Sequence, residues 1–281
     1  MIWKVAGRAH DLTRRGMVMG IVNVTPDSFS DGGRYFDVDR AVEHGRELIR
    51  EGADILDVGG ESTRPGAEPV SEVEELRRVP PVIRALRAES EVLISIDTFK
   101  ATVAAAALEA GADIINDVSG LTHDPQMVAL AARSSAGIVL MHMKGEPRTM
   151  QLNPHYKDVV AEVQQFFRER LAALANAGIA PERVVLDPGI GFGKALDHNL
   201  ALMRSLRELA VDDRPVLLGV SRKSMIGKLV GSDRMEDRAW PTVALTSYAR
   251  EHEVRIVRVH EVKANVDAMR MTEAILSGVQ A

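Results

Sequence analysis

The chain has no cysteine among its 281 residues, which excludes disulfides, thiolate zinc sites, iron–sulfur clusters and cysteine nucleophiles. Aromatic side chains make up only 4%, too few for a platform on which single-stranded nucleic acid stacks. Neither sign of charge dominates. Lys and Arg number 35 against 40 Asp and Glu, a formal net charge of −5, which argues against a protein built to grip nucleic acid. No apolar run approaches the ~20 residues that span a bilayer. Met1–Arg15 is interrupted by Lys4, Arg8, His10 and Asp11, where a secretory signal needs an apolar core. These absences set the expectation of a cytoplasmic protein with no membrane and no nucleic-acid partner.

What is present is a regular alternation. Short runs rich in Val, Ile and Leu recur at Met17–Val22, Asp54–Val58, Val92–Ile96, Ile114–Asn116, Ile138–Met141, Val184–Leu186, Pro215–Val220 and Ile256–Val259. Their lack of polar alternation predicts strands covered on both faces, as in a parallel sheet. Between them lie segments with helical spacing: 39–51, 71–89, 100–110, 156–177, 199–209, 238–251 and 265–276. Ser71 and Glu74 have capping-box spacing, whereas Pro80 and Pro81 predict a break before Glu89. Gly52-Ala53-Asp54-Ile55 and Gly111-Ala112-Asp113-Ile114 repeat one helix-to-strand joint. Eight such runs alternating with helical segments in about 250 residues favour one (β/α)8 TIM barrel, an α/β fold forming a single domain over 1–281. Residues 1–15 are expected as a short N-terminal hairpin or arm.

In such a barrel the chemistry sits at the C-terminal ends of the strands. Just past the runs stand Asn23, then Glu61, Thr63 and Arg64, then Asp97, then Asn116 and Asp117. His142, Asp187, the Ser221-Arg222-Lys223 triplet, Arg258 and His260 complete the ring. Polar residues are ordinary where strands meet loops, but a full ring holding Asp97, Asp187 and Lys223 favours a site. Two connections, 23–33 and 61–66, combine turn formers with charged groups and suit loops that close over a ligand. Asp187–Lys194 is rich in glycine but matches neither a Walker loop nor the dinucleotide fingerprint. It predicts a close backbone approach to a flat ligand. Lys223 reads as a Schiff-base lysine of the barrel-aldolase kind or as a plain cation. No HxH or HExxH pattern supports zinc. Asn23 with nearby carboxylates suits Mg²⁺, which takes few protein ligands.

At these residues the chain resembles the dihydropteroate synthase family, the folate-pathway enzymes that sulfonamides target. The resemblance rests on eight segments between residues 19 and 263: MGIVNVTPDSFSDGG from Met19, ESTRPGA from Glu61, SIDTFK from Ser95 and INDVSG from Ile115, followed by MHMKGEPRTMQ from Met141, DPGIGFGK from Asp187, SRKSMIG from Ser221 and VRVHEVK from Val257. It implies a barrel that joins 6-hydroxymethyl-7,8-dihydropterin diphosphate to 4-aminobenzoate with release of diphosphate, assisted by Mg²⁺. By resemblance, Asp97, Asn116, Asp187 and Lys223 hold the pterin, and Asn23 ligates the metal. Thr63, Arg64, Arg258 and His260 take the diphosphate with Asn23, Asp31 belongs to the first loop, and Pro65, Phe192 and Ser224 line the 4-aminobenzoate site. Asp97, Lys223, Asp31, Arg258 and His260 are the catalytic candidates. A homodimer is a further implication.

Two positions depart from the family pattern. Glu261 stands where Asp is usual after the histidine, and Trp240-Pro241-Thr242 replaces a small pair. The second departure points to packing or a subunit face rather than chemistry. Three other readings compete: a pterin-binding methyltransferase of the same superfamily, a Schiff-base aldolase, and a noncatalytic pterin-binding barrel.

Overall fold

The computed structural model describes residues 1–24, 34–62, 67–146 and 149–278. The first two strands, β1 (Ile2–Val5) and β2 (Arg8–Asp11), pair antiparallel as a hairpin. Eight parallel strands follow: β3 (Met17–Asn23), β4 (Ile55–Gly59), β5 (Leu93–Asp97), β6 (Ile114–Asp117), β7 (Gly137–Met141), β8 (Val184–Asp187), β9 (Leu217–Leu218) and β10 (Ile256–Val259). Their order is β8-β7-β6-β5-β4-β3-β10-β9. A parallel bridge between Leu186 and Val216 brings the two ends together and closes the barrel.

The pleat divides each strand between two environments, because successive side chains point to opposite faces. One set, including Val22, Leu56, Val58, Ile94, Ile96, Ile115, Leu140 and Leu186, packs outward against the helices. The other set forms a separate apolar cluster of Met19, Ile55, Ile114, Val139, Val185, Leu217 and Ile256 with Trp3, Val5 and Leu12 of the N-terminal segment. The hairpin is thus a plug across the N-terminal end of the barrel. Trp3 is fully buried there, and its indole N–H donates to the Arg183 carbonyl at 2.9 Å. Two residues further along several of these strands, the inward positions turn polar: Asp57 after Ile55, Asn116 after Ile114, Asp187 after Val185 and Arg258 after Ile256.

The surrounding helices are α1 (Arg34–Arg50), α2 (Glu72–Glu89), α3 (Ala101–Ala110), α4 (Pro125–Arg133), α5 (Val159–Asn176), α6 (Leu196–Arg204), α7 (Ser224–Val230), α8 (Ala239–Glu251) and α9 (Val262–Ser277). The capping role of Ser71 is present, with its Oγ accepting from Glu74 N–H at 3.3 Å. The expected break at Pro80 and Pro81 is not, since α2 runs through both. An interior proline costs about 3 kcal/mol or more, but Val79, Val82, Ile83 and Leu86 are buried on this helix. Four such side chains contribute roughly 1.5–3 kcal/mol each, enough to hold the helix together.

Other boundaries moved. The segment expected over 199–209 becomes α6 followed by a 3₁₀ turn at Leu206–Leu209, and the seventh strand shortens to two residues. Helices α4 and α7 were not anticipated. The first had a local signal: Asp124 caps it by accepting from Gln126 N–H at 2.9 Å, and Pro125 occupies the first turn. The two repeated joints close alike, with Ala53 N–H on Leu48 C=O and Ala112 N–H on Ala107 C=O, both at 2.9 Å.

Removing the plug tests its structural role. Trp3→Ala is expected to lower unfolding free energy in urea by about 3–5 kcal/mol, while ligand affinity at the opposite end stays within twofold. A loss below about 1 kcal/mol, typical of a surface substitution rather than a core one, contradicts the plug.

Candidate active site

A cavity of about 290 Å³ opens at the C-terminal end of the barrel. Asn23, Asp97, Asn116, Asp187, Phe192, Lys223, Ser224, Arg258 and His260 all line it. Every site candidate within the described residues is therefore brought to one hollow. Asp31, Thr63, Arg64 and Pro65 lie outside the described residues. Two strand-end residues from the expected ring do not reach the cavity. Asp117 is one step out of phase with Asn116, is buried, and accepts from Ser119 N–H and Oγ–H at 2.7 and 2.6 Å. His142 is one step past Met141 and packs behind the glycine-rich loop.

The floor is organised around a half-buried cation, the Arg258 guanidinium. Arg258 Nε donates to Asp57 Oδ2 at 2.6 Å and Nη2 to Asp97 Oδ2 at 2.8 Å. Asp57 Oδ2 also accepts from Asn116 Nδ2 at 3.1 Å. Burial opposes the charge on Arg258, yet Asp57 and Asp97 together hold its guanidinium above the usual range. Burial raises Asp97 despite Arg258, with the neighbouring carboxylate of Asp57 adding to the rise. Asp57 was missed by the sequence reading because it sits inside an apolar run. Its signal was the period-two pattern, which places it inward between Ile55 and Gly59.

Asp187 supplies the second recognition element. Its Oδ1 accepts from Gly189 N–H at 2.7 Å, and Gly219 leaves room beside Oδ2, with a would-be Cβ 3.8 Å away. Burial raises its pKa, against the attraction of Lys223. The Lys223 ammonium donates to the Ile190 carbonyl and lies 4.4 Å from the Phe192 ring centroid. Burial pulls Lys223 down to about 8, with Asp187 working the other way. A cation therefore rests on an aromatic face at one side of the hollow.

The backbone that presents these groups is held from behind. Gly189 and Gly193 have φ of +64°, and a Cβ at either would run into the carbonyl oxygen of His142 or Lys144. At Gly189 and Gly193 the close approach is to the protein's own backbone, while Gly191 and Phe192 of the same loop line the cavity. Lys194 Nζ ties the loop together through the carbonyls of Gly189 and Phe192, both at 3.0 Å, His142 O at 3.2 Å and His142 Nδ1 at 2.9 Å. Burial and the Lys194 charge lower His142 to about 2, so it stays neutral and serves structure.

Arg222, next to Lys223, adopts φ +58°, a strained conformation for a side chain of its size. Thr242 Oγ1 accepts its N–H at 3.3 Å, Arg238 Nη1 donates to its carbonyl at 3.1 Å, and Glu261 Oε1 accepts from its Nε at 2.6 Å. Both departures from the family pattern converge here. Thr242 of the segment that points to packing or a subunit face thus also holds the residue before Lys223. Ser221 Oγ accepts from His260 N–H at 3.2 Å and lies 2.9 Å from His260 Nδ1, which fixes the imidazole at the rim.

Comparison with known proteins agrees with this geometry. Residues 19–260 match the family described as pterin binding enzyme. The dihydropteroate synthase of Escherichia coli K12 is 49% identical over 260 residues, 92% of each chain. The Yersinia pestis dihydropteroate synthase, solved with a sulfonamide drug complex, superposes with a TM-score of 0.92 at 44% identity, covering 99% of this chain and 100% of that one. The Xanthomonas albilineans dihydropteroate synthase with 4-aminobenzoic acid gives the same TM-score at 47% identity and the same coverage. The chain belongs to the dihydropteroate synthase family of pterin binding enzymes.

Proposed function

We propose that the cavity joins 6-hydroxymethyl-7,8-dihydropterin diphosphate to 4-aminobenzoate, releasing diphosphate and 7,8-dihydropteroate. The observation that carries this reading is the convergence of Asp187, Asn116, Asp97, Lys223 and Arg258 on one hollow of bicyclic size. A pterin presents parallel 2-amino and N3–H donors, and the Asp187 carboxylate matches that pair. Each charge-assisted bond contributes about 1.5–3 kcal/mol. Asn116 gives one Nδ2 proton to Asp57 and keeps Oδ1 and its second Nδ2 proton for the mixed donor and acceptor edge of the ring. Arg258 gives Nε and Nη2 to Asp57 and Asp97 at the floor, and its remaining N–H donors, with His260, Asn23, Thr63 and Arg64, take the diphosphate oxygens.

The reaction is a dissociative substitution at the pterin methylene. The carbon–oxygen bond breaks with its electron pair leaving on diphosphate, and the electron-rich ring stabilises the cation. The neutral amine then forms the carbon–nitrogen bond and loses a proton, so no strong base is required. Cations at the rim stabilise the charge that grows on the leaving group. A dry site strengthens them: a unit pair at 4 Å is worth roughly 1 kcal/mol in water but about 4 at an effective dielectric of 20.

The donor set is compatible with Mg²⁺. Asn23 is half-buried at the end of β3, lines the cavity, and among the described residues makes no side-chain hydrogen bond. No cluster of three or more His, Cys, Asp or Glu able to hold a metal occurs among those residues. Mg²⁺ fits such a place because diphosphate and water supply most of its six oxygens. When bound it would neutralise charge on the departing diphosphate. The same reading takes sulfonamides as inhibitors that mimic the amine, and the cytoplasm as the location. It includes a homodimer, supported by Trp240, Met271, Ile275 and Leu276 exposed on the packed pair α8 and α9.

Turnover tests the reading directly. Purified protein is expected to release diphosphate with the pterin substrate, 4-aminobenzoate and Mg²⁺ together, and to form no dihydropteroate when any one is omitted. No dihydropteroate from the complete mixture overturns it. Because the Lys223 cation is lost as pH rises through about 8, kcat/KM for the pterin substrate should fall above that pH. Lys223→Met should lower kcat/KM roughly ten- to hundredfold at pH 7, the worth of one charge-assisted bond, and abolish the alkaline limb. An unchanged limb in the variant contradicts the assignment. Asp57→Asn should weaken pterin binding in calorimetry by at least about tenfold, as a buried charge-assisted bond implies. Wild-type affinity would remove Asp57 from the account.

A further inference from the structure

A second buried network lies beside the ring site and touches the described ends of both connections that flank the cavity. Lys100 stands at the N-terminal boundary of α3 with its side chain 17% exposed. Its three ammonium protons have three acceptors: Glu61 Oε2 at 2.8 Å, Glu75 Oε2 at 2.7 Å and the Val70 carbonyl at 2.6 Å. Glu61 Oε1 accepts in turn from Val70 N–H at 3.0 Å. One lysine and one glutamate therefore grip both polar backbone atoms of Val70 and join residue 61 to residue 70 across the β4–α2 connection. Glu75, fully buried on α2, anchors the lysine. One turn along the same helix, Arg78 Nη1 donates to the Val24 carbonyl at 2.9 Å, where β3 gives way to the other connection.

A plain structural account gives Lys100 one task, to neutralise the buried carboxylate of Glu75. That leaves its other two bonds unexplained. Both go to the rim connection, and Glu61 and Ser62 on that connection line the cavity. The ring-binding groups sit on the floor, so these rim residues border the space left for the second substrate.

We propose that Lys100 is a positioning residue, pinning the two stems of the β4–α2 connection so that Glu61 and Ser62 are held where the amine substrate enters. This rests on the reading of the cavity given above. Holding a rim segment in one arrangement removes an ordering cost otherwise met on each binding event, so its loss should act on the amine and not on the pterin ring, which the floor groups hold.

Two variants separate this role from charge neutralisation. Lys100→Met is expected to raise the KM for 4-aminobenzoate at least tenfold, with kcat within threefold and the Kd for 7,8-dihydropterin within twofold. It leaves Glu75 buried and unpaired, so Lys100→Met/Glu75→Gln should regain thermal stability yet keep the raised KM. Hydrogen exchange at the Val70 amide should quicken at least tenfold in both variants. A wild-type amine KM in the single variant, or a KM restored together with stability in the double variant, overturns the proposal. So does a pterin Kd that rises in step with the KM. If the unaltered protein forms no dihydropteroate, the parent reading fails by itself, and Val70 exchange then decides the clamp: unchanged exchange refutes it.

Discussion

One guanidinium shared between two carboxylates makes the polar half of this barrel tenable. Asp57 is fully buried and Asp97 nearly so, and an isolated carboxylate at such depth would take up a proton rather than stay charged. Arg258 bonds to both, at 2.6 and 2.8 Å. Asp57 then has charge to spare for Asn116, and Asp97 and Asn116 become fixed points rather than mobile side chains. The floor is rigid before any ligand arrives. Beneath it lies a separate apolar layer, which the N-terminal residues Trp3, Val5 and Leu12 seal.

The remaining groups are aimed by backbone rather than by packing alone. Lys223 follows Arg222 in its left-handed conformation, and Glu261, Thr242 and Arg238 hold that residue from three sides. Asp187 opens a loop folded against the 142–144 segment and tied by Lys194. Phe192, on that loop, supplies the face on which the Lys223 ammonium rests. Strand β9 has only two residues, and the clamps on Arg222 hold the segment that follows it.

Much of this was legible in the chain itself. Uninterrupted Val, Ile and Leu runs announced a parallel sheet, and their polar ends announced which end carries chemistry. What escaped has a common cause. Looking only past the runs ignores the parity of the pleat, which turns Asp117 and His142 outward while admitting Asp57 from within a run. The proline pair at 80 and 81 looked like a break because local propensity does not count the apolar face buried by α2. The glycines of the 189–193 loop pointed to a close approach, but not to what approaches. Phe192 and Ser224 carry no chemical pattern of their own, and only the family resemblance brought them forward. For the cavity's nine described candidates, type and strand-end position sufficed or the resemblance supplied the rest; for Lys100 and for the bond of Arg78 to Val24, whose partners lie dozens of residues away, neither did.

The most direct test of the account is a crystal structure with a dihydropterin bound. It should show the 2-amino and N3 edge of the ring on Asp187, the Asn116 amide alongside, and Arg258 still bonded to both Asp57 and Asp97. A ring bound elsewhere in the molecule, or an Arg258 that abandons those carboxylates when the ligand enters, would contradict it.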